Sequence, residues 1–89
     1  MKAVITVIGK DRTGIIYNVS KILYHHNVNI EDLNQTIMQD NFTMLMLVNC
    51  AKMDCTFEEL KAALRAAGES IGMSIRIQRE DIFDAMHKI

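Results

Sequence analysis

Apolar and polar positions alternate, drift and recover along this chain in a pattern that lays out six main elements. Lys2 to Ile8 is almost continuously apolar (Ala3, Val4, Ile5, Val7, Ile8), broken only by Thr6. Such a run predicts a central strand buried on both faces, ended by Gly9. From about Thr13 to His26 the apolar residues Ile15, Val19, Ile22 and Leu23 recur at helical spacing, which predicts an amphipathic helix. Asp11 or Thr13 is placed to cap its start. His25, His26 and Asn27 suit its end. Val28 to Gln39 reads as a second strand with a change of phase. Val28 and Ile30 share one parity, Leu33 and Ile37 the other. A β-bulge near Glu31-Asp32 returns both halves to one core face. After a turn at Asp40-Asn41, Phe42 to Cys50 is a third strand, apolar on both faces in its middle.

Ala51 to Cys55 is a connector. Thr56 to about Ala67 predicts a second helix, with Thr56 and Glu59 spaced as a capping box and Gly68 as its stop. Gly72 to Arg79 alternates cleanly: Met73, Ile75 and Ile77 inward, Ser74, Arg76 and Gln78 outward, as in an edge strand protected by charge. Glu80 to His87 predicts a short terminal helix with Ile82, Phe83 and Met86 on one side. The order βαββαβ plus a helical tail makes the fold class α+β. It points to a ferredoxin-like sandwich: a four-stranded antiparallel sheet, two helices on one face, and a short C-terminal helix. Strands one and three belong in the centre. Strand two is then an edge without the lysine or proline that blocks pairing, so it or the helix beside it is the expected dimer contact.

Composition narrows the function. The 89 residues suit one domain spanning 1–89. Apolar residues make up 49% of the chain, much for so small an interior, so part of that surface is expected to meet another copy or a partner. A net charge of −1 with interspersed signs argues against nucleic acid and polybasic membrane contact. An RNA-binding sheet also needs aromatics on its central strands, and strand one has none. No apolar run approaches the ~20 residues of a membrane span and no signal peptide is evident, so Cys50 and Cys55 are expected as reduced thiols in the cytoplasm.

The candidate chemistry sits in Gly9-Lys10-Asp11-Arg12-Thr13-Gly14-Ile15, between a strand and a helix start whose N–H groups attract anions and carbonyl oxygens. Asp11 accepts a ligand's amino group or caps the helix. Arg12 clamps a carboxylate, or is a solvated charge or a partner of Asp11 or Glu31. Gly14 permits close backbone approach. Asn29 bonds a ligand or fixes the loop entering strand two, and Asp32 is an acceptor or an outward residue at the bulge. Metal ligation is not indicated. Adjacent His25 and His26 point about 100° apart, and Cys50 and Cys55 lack a second cysteine pair. No nucleophile–base motif or phosphate loop is present, and no cofactor is implied.

The run Val4-Ile5-Thr6-Val7-Ile8-Gly9-Lys10-Asp11-Arg12-Thr13-Gly14-Ile15-Ile16, followed by Val28-Asn29-Ile30, resembles the start of an ACT domain. The continuation Asn29 to Thr36 and the ending Ile82-Phe83-Asp84-Ala85-Met86 resemble free-standing single ACT-domain proteins of about this length, which are similar to the ACT halves of glycine-cleavage regulators. The resemblance covers essentially the whole chain. It implies a regulatory module that binds an amino acid or related metabolite between subunits of a homodimer or higher homo-oligomer, and through it acts on a protein partner. Carried over by position, the ligand site comprises Gly9, Lys10, Asp11, Arg12, Thr13 and Gly14 with Asn29, Ile30 and Asp32. Two alternatives remain: an acylphosphatase-like hydrolase using Arg12 and Asn49, against which Asp11 counts by repelling phosphate, and a ligand-free oligomerisation adapter.

Overall fold

Strand β1 (Lys2–Lys10) runs through the middle of the molecule and pairs antiparallel on both sides, with β3 (Asn41–Asn49) and with β4 (Met73–Arg79). β2 (Asn29–Met38) adds to the free side of β3, so the sheet order is β2-β3-β1-β4. Helices α1 (Ile15–His25) and α2 (Phe57–Ile71) connect the strands, and α3 (Glu80–His87) follows β4. The computed structural model describes the backbone of residues 1–87 and the side chains of residues 1–82 and 84. The expected apolar side of α3 includes Phe83 and Met86, which lie outside the described side chains; Ile82 is 48% exposed.

The core is a single layer. Ala3, Ile5 and Val7 of β1, Met44, Met46 and Val48 of β3, and Met73, Ile75 and Ile77 of β4 meet Ile15, Val19 and Leu23 of α1 and Leu60 and Leu64 of α2. The central strands were expected to be buried on both faces, and here the structure differs. Helices α1 and α2 cover one face, so burial alternates along β1 and β3, and Ile8 and Leu45 on the opposite face are 51% and 41% exposed. Continuous apolarity in these strands therefore reports an uncovered apolar face.

The phase change in β2 is a bulge, as its pattern predicts. Ile30 pairs with Val48 and Asp32 with Leu47, leaving Glu31 as the extra residue. The bulge puts Ile30, Leu33 and Ile37 opposite Val48, Met46 and Phe42, on the helix face. That face is poorly covered at the sheet edge: Leu33 and Ile37 are 37% and 54% exposed. The β2–β3 hairpin turns through Gln39 and Asp40, one residue earlier than expected, both with positive φ, as a two-residue type I′ turn demands.

Helix ends separate local from tertiary control. Thr56 caps α2 as read: its Oγ1 accepts from the Glu59 N–H and the Glu59 carboxylate accepts from the Thr56 N–H, holding the Glu59 carboxyl below its usual range. Gly68 does not stop α2. The helix continues to Ile71 and ends at Gly72, whose φ of 71° is left-handed. Gly68 instead sits buried against β4, where a Cβ would lie 2.6 Å from the Met73 carbonyl oxygen. Helix and strand approach there because the side chain is absent.

Candidate functional site

The loop after β1 is tied down by backbone and by Arg12. Gly9 and Lys10 remain in the ladder, opposite Phe42 and Asn41. The Asp11 N–H then donates to the Asp40 carbonyl at 2.7 Å, fastening the loop to the hairpin turn. Arg12 Nη1 donates to the carbonyl oxygen of Ile71, the last residue of α2, at 2.9 Å. Its guanidinium thus closes a helix C-terminus, where orphan carbonyls and the helix dipole favour a cation. Neither partner expected for Arg12 is used. Asp11 is its neighbour without pairing to it, and Glu31 lies at the far end of the sheet. Arg12→Ala should cost about 0.5–1.5 kcal/mol of stability in urea unfolding; an unchanged midpoint would show that the bond contributes nothing.

The start of α1 is bare. Its N-cap is Gly14, with φ 89° and no side chain bonding the first turn. Neither Asp11 nor Thr13 caps the helix, which corrects that expectation: the left-handed turn at Gly14 carries the chain into α1 with both residues left outside it. The Asn18 N–H is the first to reach a helical acceptor, the Gly14 carbonyl, which also accepts from Asn18 Nδ2 at 2.7 Å. The N–H groups of Ile15, Ile16 and Tyr17 have no partner among the described residues, nor has the Asp11 carboxylate. Lys10, Asp11, Arg12 and Thr13 are all exposed.

The second predicted group lies elsewhere. Asn29 stands opposite Asn49, and Asn49 opposite Lys2. The nine-residue strand β1, roughly 26 Å at about 3.3 Å per residue, separates this end from Gly9–Gly14. One chain therefore brings Gly9, Lys10, Asp11, Arg12, Thr13 and Gly14 together, and Asn29, Ile30 and Asp32 together, but not the two groups. At the second end, Glu31 accepts from Lys2 Nζ at 2.9 Å and from Asn49 Nδ2 at 3.1 Å. Those bonds lower the Glu31 carboxyl and raise the Lys2 ammonium. Asp32, at the bulge, accepts from the Leu33 N–H at 2.8 Å. Asn29 lines an open cleft of about 420 Å3 with Tyr24, Asn27, Val28, Asn49 and Lys52, which no local pattern in the sequence marks because its walls come from two segments some 20 residues apart, 24–29 and 49–52. The same register keeps Arg12 and Asn49 at opposite ends, so one chain does not aim both at a single phosphate.

A family model for the ACT domain matches residues 2–78. The chain belongs to the ACT-domain family. A UPF0237 protein of Listeria monocytogenes is 49% identical over 89 residues, covering 100% of both chains. Among solved structures, an ACT domain protein from Streptococcus pneumoniae superposes with a TM-score of 0.81 at 38% identity, over 98% of each chain. A putative glycine cleavage system transcriptional repressor matches with a TM-score of 0.76 at 25% identity, over 86% of this chain and 44% of that one. The ferredoxin-like ACT fold and the likeness to glycine-cleavage regulators expected from the residues are both found. ACT domains are regulatory modules that commonly pair and bind small molecules such as amino acids. Among the described residues no helix is long and apolar enough to cross a membrane.

Proposed function

We propose that this chain works as a single-domain, non-enzymatic sensor that holds an amino acid or related metabolite between two copies of itself and so shifts association with a protein partner. The observation that carries the reading is the bare start of α1. Unpaired N–H groups at Ile15, Ile16 and Tyr17 suit a carboxylate, and the unpartnered Asp11 carboxylate beside them suits an ammonium group. A zwitterion presents both. Gly9 to Gly14 supply this half of the pocket.

Asn29, Ile30 and Asp32 supply the other half from a second copy. Edge strand β2 exposes Leu33, Ile37 and Met38, and α1 exposes Tyr17 and Tyr24. Two β2 edges paired antiparallel about a two-fold axis set the start of one against the end of the other. That end is also where β1 finishes, so the arrangement carries Asn29–Asp32 of one copy toward Gly9–Gly14 of the other. Regulation then needs only different affinities in the paired and unpaired states, and no catalytic group. Both cysteines are free, which suits work in the cytoplasm.

Thermal denaturation with a panel of amino acids tests the reading. One member at about 100 times its dissociation constant should stabilise the chain by about 2.7 kcal/mol, and Asp11→Ala should weaken that ligand about tenfold or more. If no amino acid shifts melting at millimolar concentration while the chain still self-associates, the sensor reading fails in favour of the ligand-free adapter.

A further inference from the structure

A second cluster of ligating side chains forms where α1 ends and the β3–α2 connector passes beneath it. We propose that His26, Asp54 and Cys55 bind one divalent transition-metal ion of the zinc class. The inference is independent of the amino-acid reading, because it uses a different set of side chains.

The geometry is close to what such an ion requires. One donor atom from each of the three residues lies within 4.8 Å of the other two, and His26 Nδ1 is 3.7 Å from Asp54 Oδ1. Tetrahedral bonds of about 2.0–2.3 Å place neighbouring ligand atoms roughly 3.3–3.7 Å apart. The His–Asp edge is therefore already near its bound length, and the remaining closure is a matter of side-chain rotation. At 3.7 Å the imidazole and carboxylate are too far apart for a good hydrogen bond, so an ion between them displaces no hydrogen bond of that pair.

The backbone holds these donors in place. The Asp54 N–H donates to the His26 carbonyl at 3.2 Å, Asn27 Nδ2 donates to the Lys52 carbonyl at 2.9 Å, and the Met53 N–H donates to the Cys50 carbonyl at 3.1 Å. Asn27, at φ 60°, turns the chain immediately after His26. On the other side, Cys55 is followed directly by the Thr56–Glu59 capping box. Each ligand is thus adjacent to a fixed backbone point, which limits the ordering cost of binding.

Charge favours a cation. Asp54 brings a carboxylate into the cluster itself, and Glu59 lies four residues on from Cys55 in the capping box. A doubly positive ion is attracted by these carboxylates, and Cys55 releases its thiol proton to solvent as the Sγ–metal bond forms. His26 and Cys55 are half-buried and Asp54 is exposed, so one coordination position stays open to water or to a ligand. Imidazole, thiolate and carboxylate together suit zinc or cobalt better than magnesium or calcium, which take oxygen.

The test uses the full chain, stripped with a chelator and titrated with Co2+ and Zn2+. One Co2+ per chain should produce a thiolate-to-metal charge-transfer band, and Zn2+ should abolish it by competition. Zn2+ at tenfold its dissociation constant should raise the melting temperature by roughly 5 °C or more. Cys55→Ser should lose the band while Cys50→Ser keeps it, and Asp54→Asn and His26→Ala should each weaken Co2+ about tenfold or more. Metal-free melting of every variant separates lost ligation from lost folding. Absence of a thiolate band in the wild-type chain, or its persistence in Cys55→Ser, overturns the proposal.

Discussion

Leu64→Ala should destabilise this chain by about 2–5 kcal/mol, the range for deleting a buried leucine and leaving its cavity behind. Leu64 is fully buried, in the stripe of α2 that faces the sheet. The described residues form one core cluster, in which Leu64 lies with Ile5, Met46 and Leu23, so the loss falls on the whole fold. Small domains rest on about 5–15 kcal/mol in all. The variant should therefore unfold at distinctly lower urea concentration with an unchanged slope. Leu33→Ala is the contrast. Leu33 is 37% exposed on edge strand β2, so its truncation should change the isolated chain by less than about 1 kcal/mol. If β2 pairs with a second copy, the Leu33 effect grows with protein concentration, which sedimentation and melting at two concentrations measure together. Equal effects of the two truncations would mean that β2 is covered within one chain.

Gly68→Ala should also destabilise, by about 1–3 kcal/mol, although alanine is the better helix former by about 1 kcal/mol. The added Cβ would meet the Met73 carbonyl oxygen at 2.6 Å and Ile75 Cγ1 at 3.0 Å. The first contact is backbone and cannot rotate away, so α2 must lift from β4. Gly72→Ala isolates the other use of glycine. A Cβ there has nothing within 4 Å, but φ is 71°, and its cost should stay near 1–2 kcal/mol from backbone strain alone. Melting of the two variants side by side distinguishes crowding from conformation. A Gly68→Ala chain as stable as the parent would refute the close approach of α2 and β4.

Gly68 also marks where reading the chain reaches its limit. A glycine near the end of an amphipathic run looks the same whether it stops a helix or lets one pack closely, because the deciding atom is on β4. Asp11 is a similar case. It stands where caps stand, yet the left-handed Gly14 leads into α1 without it, and its backbone N–H is spent on Asp40 in the β2–β3 turn. Arg12 reaches a carbonyl 59 residues away in sequence, a partner that no local pattern contains. By contrast, the Thr56–Glu59 box is complete within four residues, and the β2 bulge is visible as a parity switch between Ile30 and Leu33.

Sequence alone determined the element order, the central place of β1 and β3, the bulge, the cap of α2, and the resemblance to ACT domains. Each depends on periodicity, or on contacts among residues a few positions apart, which the order of side chains specifies directly. Only the tertiary structure decided which face of the sheet stays open and that Gly9–Gly14 and Asn29–Asp32 lie at opposite ends of it. It alone also paired Arg12 with α2 and brought His26 to Asp54 and Cys55. Those facts follow from antiparallel register and from the way α1 and α2 sit on the sheet. They are relations between distant segments, and they come into being when the apolar stripes of the separate elements are buried against one another.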